Sequence, residues 1–127
     1  MENALEKDIA LNADIVGYAR ISVDIEKEED KNVSIENQID FIEDYAKAHF
    51  PNCSLKIYKD RDRSGYSFEQ REDYQKMRKR LMNGEAKILL VKDFSRFARR
   101  NSLGLYELEL LRDAGVRIIS ITDAIDF

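Results

Sequence analysis

The 127-residue sequence holds one cysteine, one histidine, one proline and no tryptophan. A single thiol, Cys53, forms no internal disulfide, which fits a reducing cytoplasm. With one His and one Cys there are too few soft ligands for a zinc site. No apolar run approaches the ~18 residues of a membrane span. The polar, acidic start from Met1 to Asn12 is unlike a secretory leader. A cytoplasmic protein with no membrane partner is expected. Neither a Gly-x-x-x-x-Gly-Lys loop nor a Gly-x-Gly-x-x-Gly fingerprint is present, which counts against nucleotide cofactors.

What is present is charge, unevenly spread. The net charge is −4, with 21 Lys+Arg against 25 Asp+Glu. Taken whole, that balance argues against a nucleic-acid partner. Residues 1–55 carry 5 basic and 13 acidic side chains, whereas residues 56–102 carry 14 basic and 7 acidic. An acidic chain thus contains a basic middle. At 43% hydrophobic, the composition is too apolar for global disorder, and the length suits one domain.

Hydrophobic patterning gives alternating elements. Ile15–Ser22 reads as a strand, and the acid-rich stretch from Asp24 to Lys31 as a solvated loop. Ser34 is placed to cap a helix with Ile35, Ile39, Ile42 and Ala46 on its apolar face, and Pro51 lies just past its end. Leu55–Lys59 alternates as a second strand, followed by a turn-rich loop over Asp60–Ser67. Arg71 to Asn83 reads as a helix with Tyr74, Met77 and Leu81 inward and Gly84 as its left-handed cap. Ile88–Val91 is a strand covered on both faces. Ser102 caps a helix containing Leu103, Tyr106, Leu110 and Ala114, ended by Gly115, and Val116–Ile121 is the fourth strand. The order βαβαβαβ predicts one α/β domain, a three-layer fold with a mainly parallel sheet and helices on both faces.

In such a sheet the loops after each strand emerge on the carboxyl edge, where ligands bind. Arg20 and Ser22 fall there. So do Asp60, Asp62, Arg63, Ser64 and Gly65, and then Lys92, Ser95, Arg96, Arg99 and Arg100. If Phe94–Asn101 is helical, Phe94, Phe97 and Ala98 share one side and Arg96, Arg99 and Arg100 the other. Such an arginine cluster suits a phosphate, whose paired oxygens match the guanidinium fork. It equally suits a solvated basic face packed through two phenylalanines. Ser22 reads as a turn-capping hydroxyl or as a nucleophile. His49, on the first helix before Pro51, reads as a helix-end cation or surface residue, so it supplies no imidazole base for a hydrolase triad. Activation of Ser22 would then come from arginines, which phosphoryl transfer allows. Asp60 and Asp62, interleaved with Arg61 and Arg63, make a poor magnesium cage, and a turn with local ion pairing is preferred. Cys53 reads as a small core residue.

Four motifs in order carry a resemblance: Gly17-Tyr18-Ala19-Arg20-Ile21-Ser22; Ser34-Ile35-Glu36-Asn37-Gln38; Ser64-Gly65 followed by Arg71; and Val91 through Asn101. From Ile15 onward the chain resembles the catalytic domain of the serine site-specific recombinases, the resolvases, invertases and transposon or phage integrases. The long acidic loop before Ser34 looks most like the large serine recombinases of mobile elements. The resemblance implies an enzyme that cuts and rejoins DNA. Ser22 would be its nucleophile, giving a 5′-phosphoserine link and a free 3′-hydroxyl. Arg20, Arg71, Arg96 and Arg99 would bind the scissile phosphate. Gln38, Lys92 and Ser95 would support the site, and Arg100 and Arg63 would contact DNA. It implies no metal and no other cofactor, a double-stranded recombination site as partner, a dimer to tetramer in the full-length protein, and a bacterial or phage cytoplasm. Residues 1–14 would be an N-terminal extension and 15–127 the catalytic domain, with the dimerisation helix and DNA-binding region following Phe127.

One departure stands out. Many small resolvases have aspartate where this chain has Ser95, so a carboxylate role does not transfer. A receiver-like regulatory or assembly module, with Asp60 or Asp93 as phospho-acceptor, is the competing expectation. A recombinase domain that only binds DNA is a third. Because most phosphate affinity would reside in the C-terminal region, weak DNA binding by this segment alone is expected.

Overall fold

The computed structural model describes residues 14–22, 34–62, 71–94 and 102–126. Its elements are β1 (Asp14–Ser22), α1 (Ile35–His49), β2 (Ser54–Asp62), α2 (Glu72–Met82), β3 (Ala86–Val91), α3 (Ser102–Asp113), β4 (Arg117–Ser120) and β5 (Ile125–Asp126). The strands form one sheet in the order β2-β1-β3-β4-β5. The first four are parallel, and β5 pairs antiparallel with β4. The expected α/β layering is therefore present, with an antiparallel edge strand that the hydrophobic pattern did not announce.

Strand alternation divides the core. Val16 and Tyr18 of β1, Leu89 and Val91 of β3 and Ile118 of β4 pack with Tyr74, Met77 and Leu81 of α2 and Leu111 of α3. Ile15, Leu90 and Ile119 point the other way, against Ile42 and Ala46 of α1. The central strands are thus apolar on both faces because helices cover both. Helix α1 starts as expected, with the Ser34 hydroxyl accepting the Asn37 N–H at 3.1 Å. Gly84 and Gly115 end α2 and α3 with φ of +77° and +89°. Cys53 is half-buried beside the α1 cluster, and His49 is exposed, stacked on Tyr45 at 4.1 Å.

Two points of the sequence pattern need correction. Helix α3 does not bury Tyr106 and Ala114. Both are exposed, and Gly104, Glu107 and Leu111 face inward. The helix is turned by one residue because the buried Glu107 has partners on α2, so a charged residue occupies a position that an apolar periodicity skips. The second correction concerns β2, which continues to Asp62, so Asp60 belongs to a strand and not to a turn-rich loop. The acidic loop over 24–31, the loop over 63–67 and the expected helical turn beyond Phe94, with Phe97 and Ala98, lie outside the described residues.

The order β2-β1-β3 makes β1 the pivot. The chain leaves β1 towards α1 on one face and returns through α2 on the other, so the carboxyl ends of β1 and β3 flank the crevice where such sheets bind ligands. Close packing under this edge depends on Gly17, where an added Cβ would lie 2.7 Å from Ile42 Cγ2. That methyl is fixed to its own branched carbon and cannot swing away. Gly17→Ala is expected to cost about 1–3 kcal/mol by overpacking. Urea unfolding checks this, the expected result being a lower midpoint with an unchanged slope.

Candidate active site

The β1–β3 pairing stops at Tyr18–Val91, so the Arg20 amide and carbonyl extend past the end of β3. Gln38 of α1 takes over both groups. Its Oε1 accepts the Arg20 N–H at 3.0 Å, and its Nε2 donates to the Arg20 carbonyl at 2.9 Å. A fully buried side-chain amide thereby substitutes for a strand, which satisfies two polar groups that would be costly to leave open. Gln38 accordingly fixes the backbone two residues before Ser22, the last residue of β1. Next to it, Asn37 Oδ1 accepts from Lys92 Nζ at 2.8 Å, and that ammonium lies 5.0 Å from the Phe41 ring centre. Lys92 is therefore committed to tying β3 to α1.

Arg20 and Arg71 each lie within electrostatic reach of Tyr18. Both guanidiniums are buried, and both act electrostatically on the Tyr18 phenol. The Tyr18 hydroxyl donates to Asp60 Oδ2 at 2.7 Å. Asp60 also accepts the N–H groups of Asp73 at 3.1 Å and Tyr74 at 3.0 Å. These are the second and third residues of α2, whose own N-cap residue, Arg71, makes no side-chain cap bond. Asp60 thus caps the Arg71 helix from another strand, and its charge suits the positive end of the helix dipole. In return, Asp73 Oδ2 accepts the Lys59 N–H at 3.2 Å.

Beneath this layer, the Tyr18 and Tyr74 rings meet edge to face at 5.3 Å. The Tyr74 hydroxyl donates to Glu107, which also accepts from Arg78 Nε at 2.8 Å. A buried carboxylate needs such a pair of partners. Sequence reasoning assigns no site role to Tyr18, Asp73, Tyr74, Arg78 or Glu107. The apolar-face reading placed Tyr74 inward but carried no sign of its hydroxyl's partner.

Of the expected site residues, the structure places Arg20, Gln38, Arg71 and Lys92 at one edge, with Ser22 at the end of β1. Arg63, Ser95, Arg96, Arg99 and Arg100 lie outside the described residues. Asp60 does not present an open acceptor of the receiver kind, since both its oxygens take hydrogen bonds inside the fold. Among the described residues no group of three or more His, Cys, Asp or Glu is placed to hold a metal ion. No described helix is long and apolar enough to cross a membrane.

The described residues thus form an α/β domain with Ser22 ending β1 and two buried arginines at the carboxyl edge of its sheet. The model of the family described as Resolvase, N terminal domain, matches residues 15–127, and the chain belongs to that family. It is a catalytic domain of the serine site-specific recombinases, enzymes that act on DNA. Solved structures agree. The N-terminal catalytic domain of TP901-1 integrase is similar in fold, with a TM-score of 0.72, 24% identity, and coverage of 89% of this chain and 80% of that one. A resolvase family site-specific recombinase from Streptococcus pneumoniae matches with a TM-score of 0.67 and 28% identity, over 90% of this chain and 75% of that one. The C-terminal catalytic domain of ISC1926 TnpA, an IS607-like serine recombinase, gives 0.66 and 28%, over 85% and 69%. Among curated proteins, none matches.

The two buried phenols generate a pH prediction. Burial, then the bond to Asp60 and its charge, push Tyr18 well above the usual tyrosine range, against the opposing pull of Arg71 and Arg20. Burial, then the charge and hydrogen bond of Glu107, raise Tyr74 likewise, with Arg78 opposing. Above pH about 10 the unfolded chain releases these protons and the folded one keeps them, so stability is lost as pH rises. Two retained protons give a slope of about 2.7 kcal/mol per pH unit at most. Urea unfolding between pH 9 and 11.5 should show stability falling, and Tyr18→Phe or Tyr74→Phe should each remove up to half of that slope. A slope unchanged in both variants would contradict the assignment.

Proposed function

We propose that this domain cuts and rejoins duplex DNA with Ser22 as nucleophile. The Ser22 Oγ attacks the scissile phosphorus, the P–O3′ bond breaks, and a 5′-phosphoserine ester forms with a free 3′-hydroxyl. One proton leaves the serine and one is delivered to the departing 3′-oxygen, so the step is proton-neutral. The ester retains the bond energy for religation by the reverse attack. Arg20 and Arg71, with Arg96 and Arg99, bind the phosphate oxygens and stabilise the charge that builds in the transition state. Gln38 holds the Arg20 backbone, Lys92 and Ser95 support the site, and Arg100 and Arg63 contact the flanking DNA. No metal takes part in this reading, since guanidinium charge fills the role that a cation fills elsewhere. The enzyme works as a dimer to tetramer on its recombination site in a bacterial or phage-infected cytoplasm, and is of the large serine recombinase type.

The observation that supports this reading is the juxtaposition at the β1 edge. Ser22 ends a strand whose Arg20, two residues earlier, is fixed at its backbone by Gln38, while Arg71, the N-cap residue of α2, shares with Arg20 an electrostatic reach to Tyr18. The test uses the complete gene product expressed from its native locus. Denaturing lysis, nuclease digestion and mass spectrometry of the Ser22 peptide should find a nucleotide joined through its 5′-phosphate. Ser22→Ala should abolish the adduct, and Arg20→Ala or Arg96→Ala should reduce it at least 100-fold, in line with the loss of a charge-stabilising donor. An adduct that persists in Ser22→Ala would assign the nucleophile elsewhere.

A further inference from the structure

We propose that Glu107 is a positioning residue for Arg71, acting through Tyr74 and Arg78 to set the rotation of α2 about its own axis. This rests on the recombinase reading of Arg71 as a phosphate ligand.

Arg71 opens α2 and is buried, so its guanidinium sets out in the direction that the first turn of the helix gives it. Its carbonyl accepts the Gln75 N–H at 3.0 Å, which joins it to that turn. Tyr74, on the same turn, is held at both of its ends. Its amide donates to Asp60 Oδ2 on β2 at 3.0 Å, and its hydroxyl donates to Glu107 Oε2 on α3. One turn further on, Arg78 Nε donates to both Glu107 oxygens, at 3.1 and 2.8 Å. Tyr74 and Arg78 are spaced i, i+4 and so lie one above the other on one face of α2. A single carboxylate therefore grips the helix at two levels, away from its axis, and opposes both roll and slide.

Hydrophobic packing does not supply this restraint. The other core side chains of α2, Met77 and Leu81, are apolar, and burial of apolar surface is non-directional. Nor is a charge needed there for stability, since apolar side chains in place of a buried ion pair are often neutral or stabilising. Glu107 is only 6% exposed and lies one turn before the buried Leu111, where a leucine would continue the apolar stripe of α3. What the carboxylate adds is direction. A side-chain head about 6 Å from the helix axis moves about 1 Å when the helix rolls by roughly 10°. Misplacement on that scale can cost on the order of 100-fold in rate. Arg20 provides an internal control, because Gln38 holds it from the opposite face of the sheet.

The experiment uses the complete gene product and two readouts, the rate of Ser22 adduct formation and the shift of the arginine Nε–H signals during titration with inorganic phosphate. Tyr74→Phe combined with Glu107→Leu removes hydroxyl and carboxylate together and leaves an apolar contact, while the half-buried Arg78 can turn to solvent. This double variant should melt within about 4 °C of the wild type. It should form the adduct at least 10-fold more slowly and lose most of the Arg71 response, with the Arg20 response unchanged. Arg78→Met cuts only the second attachment and should give a smaller loss of the same kind. It decides the matter if the double variant fails to fold. A wild-type rate or a full Arg71 response in the folded double variant, or in Arg78→Met where the double variant does not fold, would overturn the proposal. So would an equal loss of the Arg20 and Arg71 responses, which marks general loosening. Absence of any adduct in the wild type, or of any Arg71 response to phosphate there, would instead overturn the recombinase reading of the site.

Discussion

The carboxylate of Asp60 is where the architecture of this domain meets its chemistry. Three donors from two different elements end on it: the Tyr18 phenol of β1 and the first-turn amides of Asp73 and Tyr74 in α2. Without it, the N-terminus of α2 would carry orphan amides and a positive dipole beside two arginines. With it, the residue that opens the helix, Arg71, is brought to the edge of the sheet where Arg20 lies two residues before the end of its strand. The negative charge also offsets the concentration of guanidinium at the edge, so cations that would repel each other sit within one cluster.

Each further layer depends on that contact. Tyr18 is buried because its hydroxyl has a partner, and its ring then supports Tyr74. Tyr74 carries the connection to Glu107 and Arg78, and so to α3, the helix that follows the arginine segment in sequence. On the opposite face, Gln38 plays the complementary part by completing the sheet where β3 is too short. One polar network fixes Arg71 from the α2 face, and one amide fixes Arg20 from the α1 face. Both arginines beside the β1–β3 crevice are thereby anchored within the fold.

Much of this was legible in the residues, for identifiable reasons. Strands with apolar runs and helices with Ile35, Ile42, Ala46 or Tyr74, Met77, Leu81 declare themselves because burial selects residue types at a fixed period. The candidate site was legible through its short motifs, which place Arg20 and Ser22 at a strand end. The phase of α3 was not legible, since Glu107 is buried by virtue of partners 29 and 33 residues away. Asp60 looked like a turn residue because its cap lies 13 positions downstream, and no local rule pairs a strand carboxylate with a distant helix start. Asp123 likewise carries no local signal, its partner Phe94 being 29 residues upstream. The acidic overall charge misled in a milder way. In sequence, 14 of the 21 basic side chains fall in residues 56–102, and 13 of the 25 acids precede them.

The central claim is that Asp60 holds Arg71 in place for a phosphate. It is tested most directly by nitrogen-detected spectra of the arginine side chains during titration with inorganic phosphate. In the wild type, the Nε–H signals of Arg20 and Arg71 should both shift. In Asp60→Ala the Arg71 response should be lost while that of Arg20, held independently by Gln38, remains. An Arg71 response that is undiminished in Asp60→Ala would contradict the account.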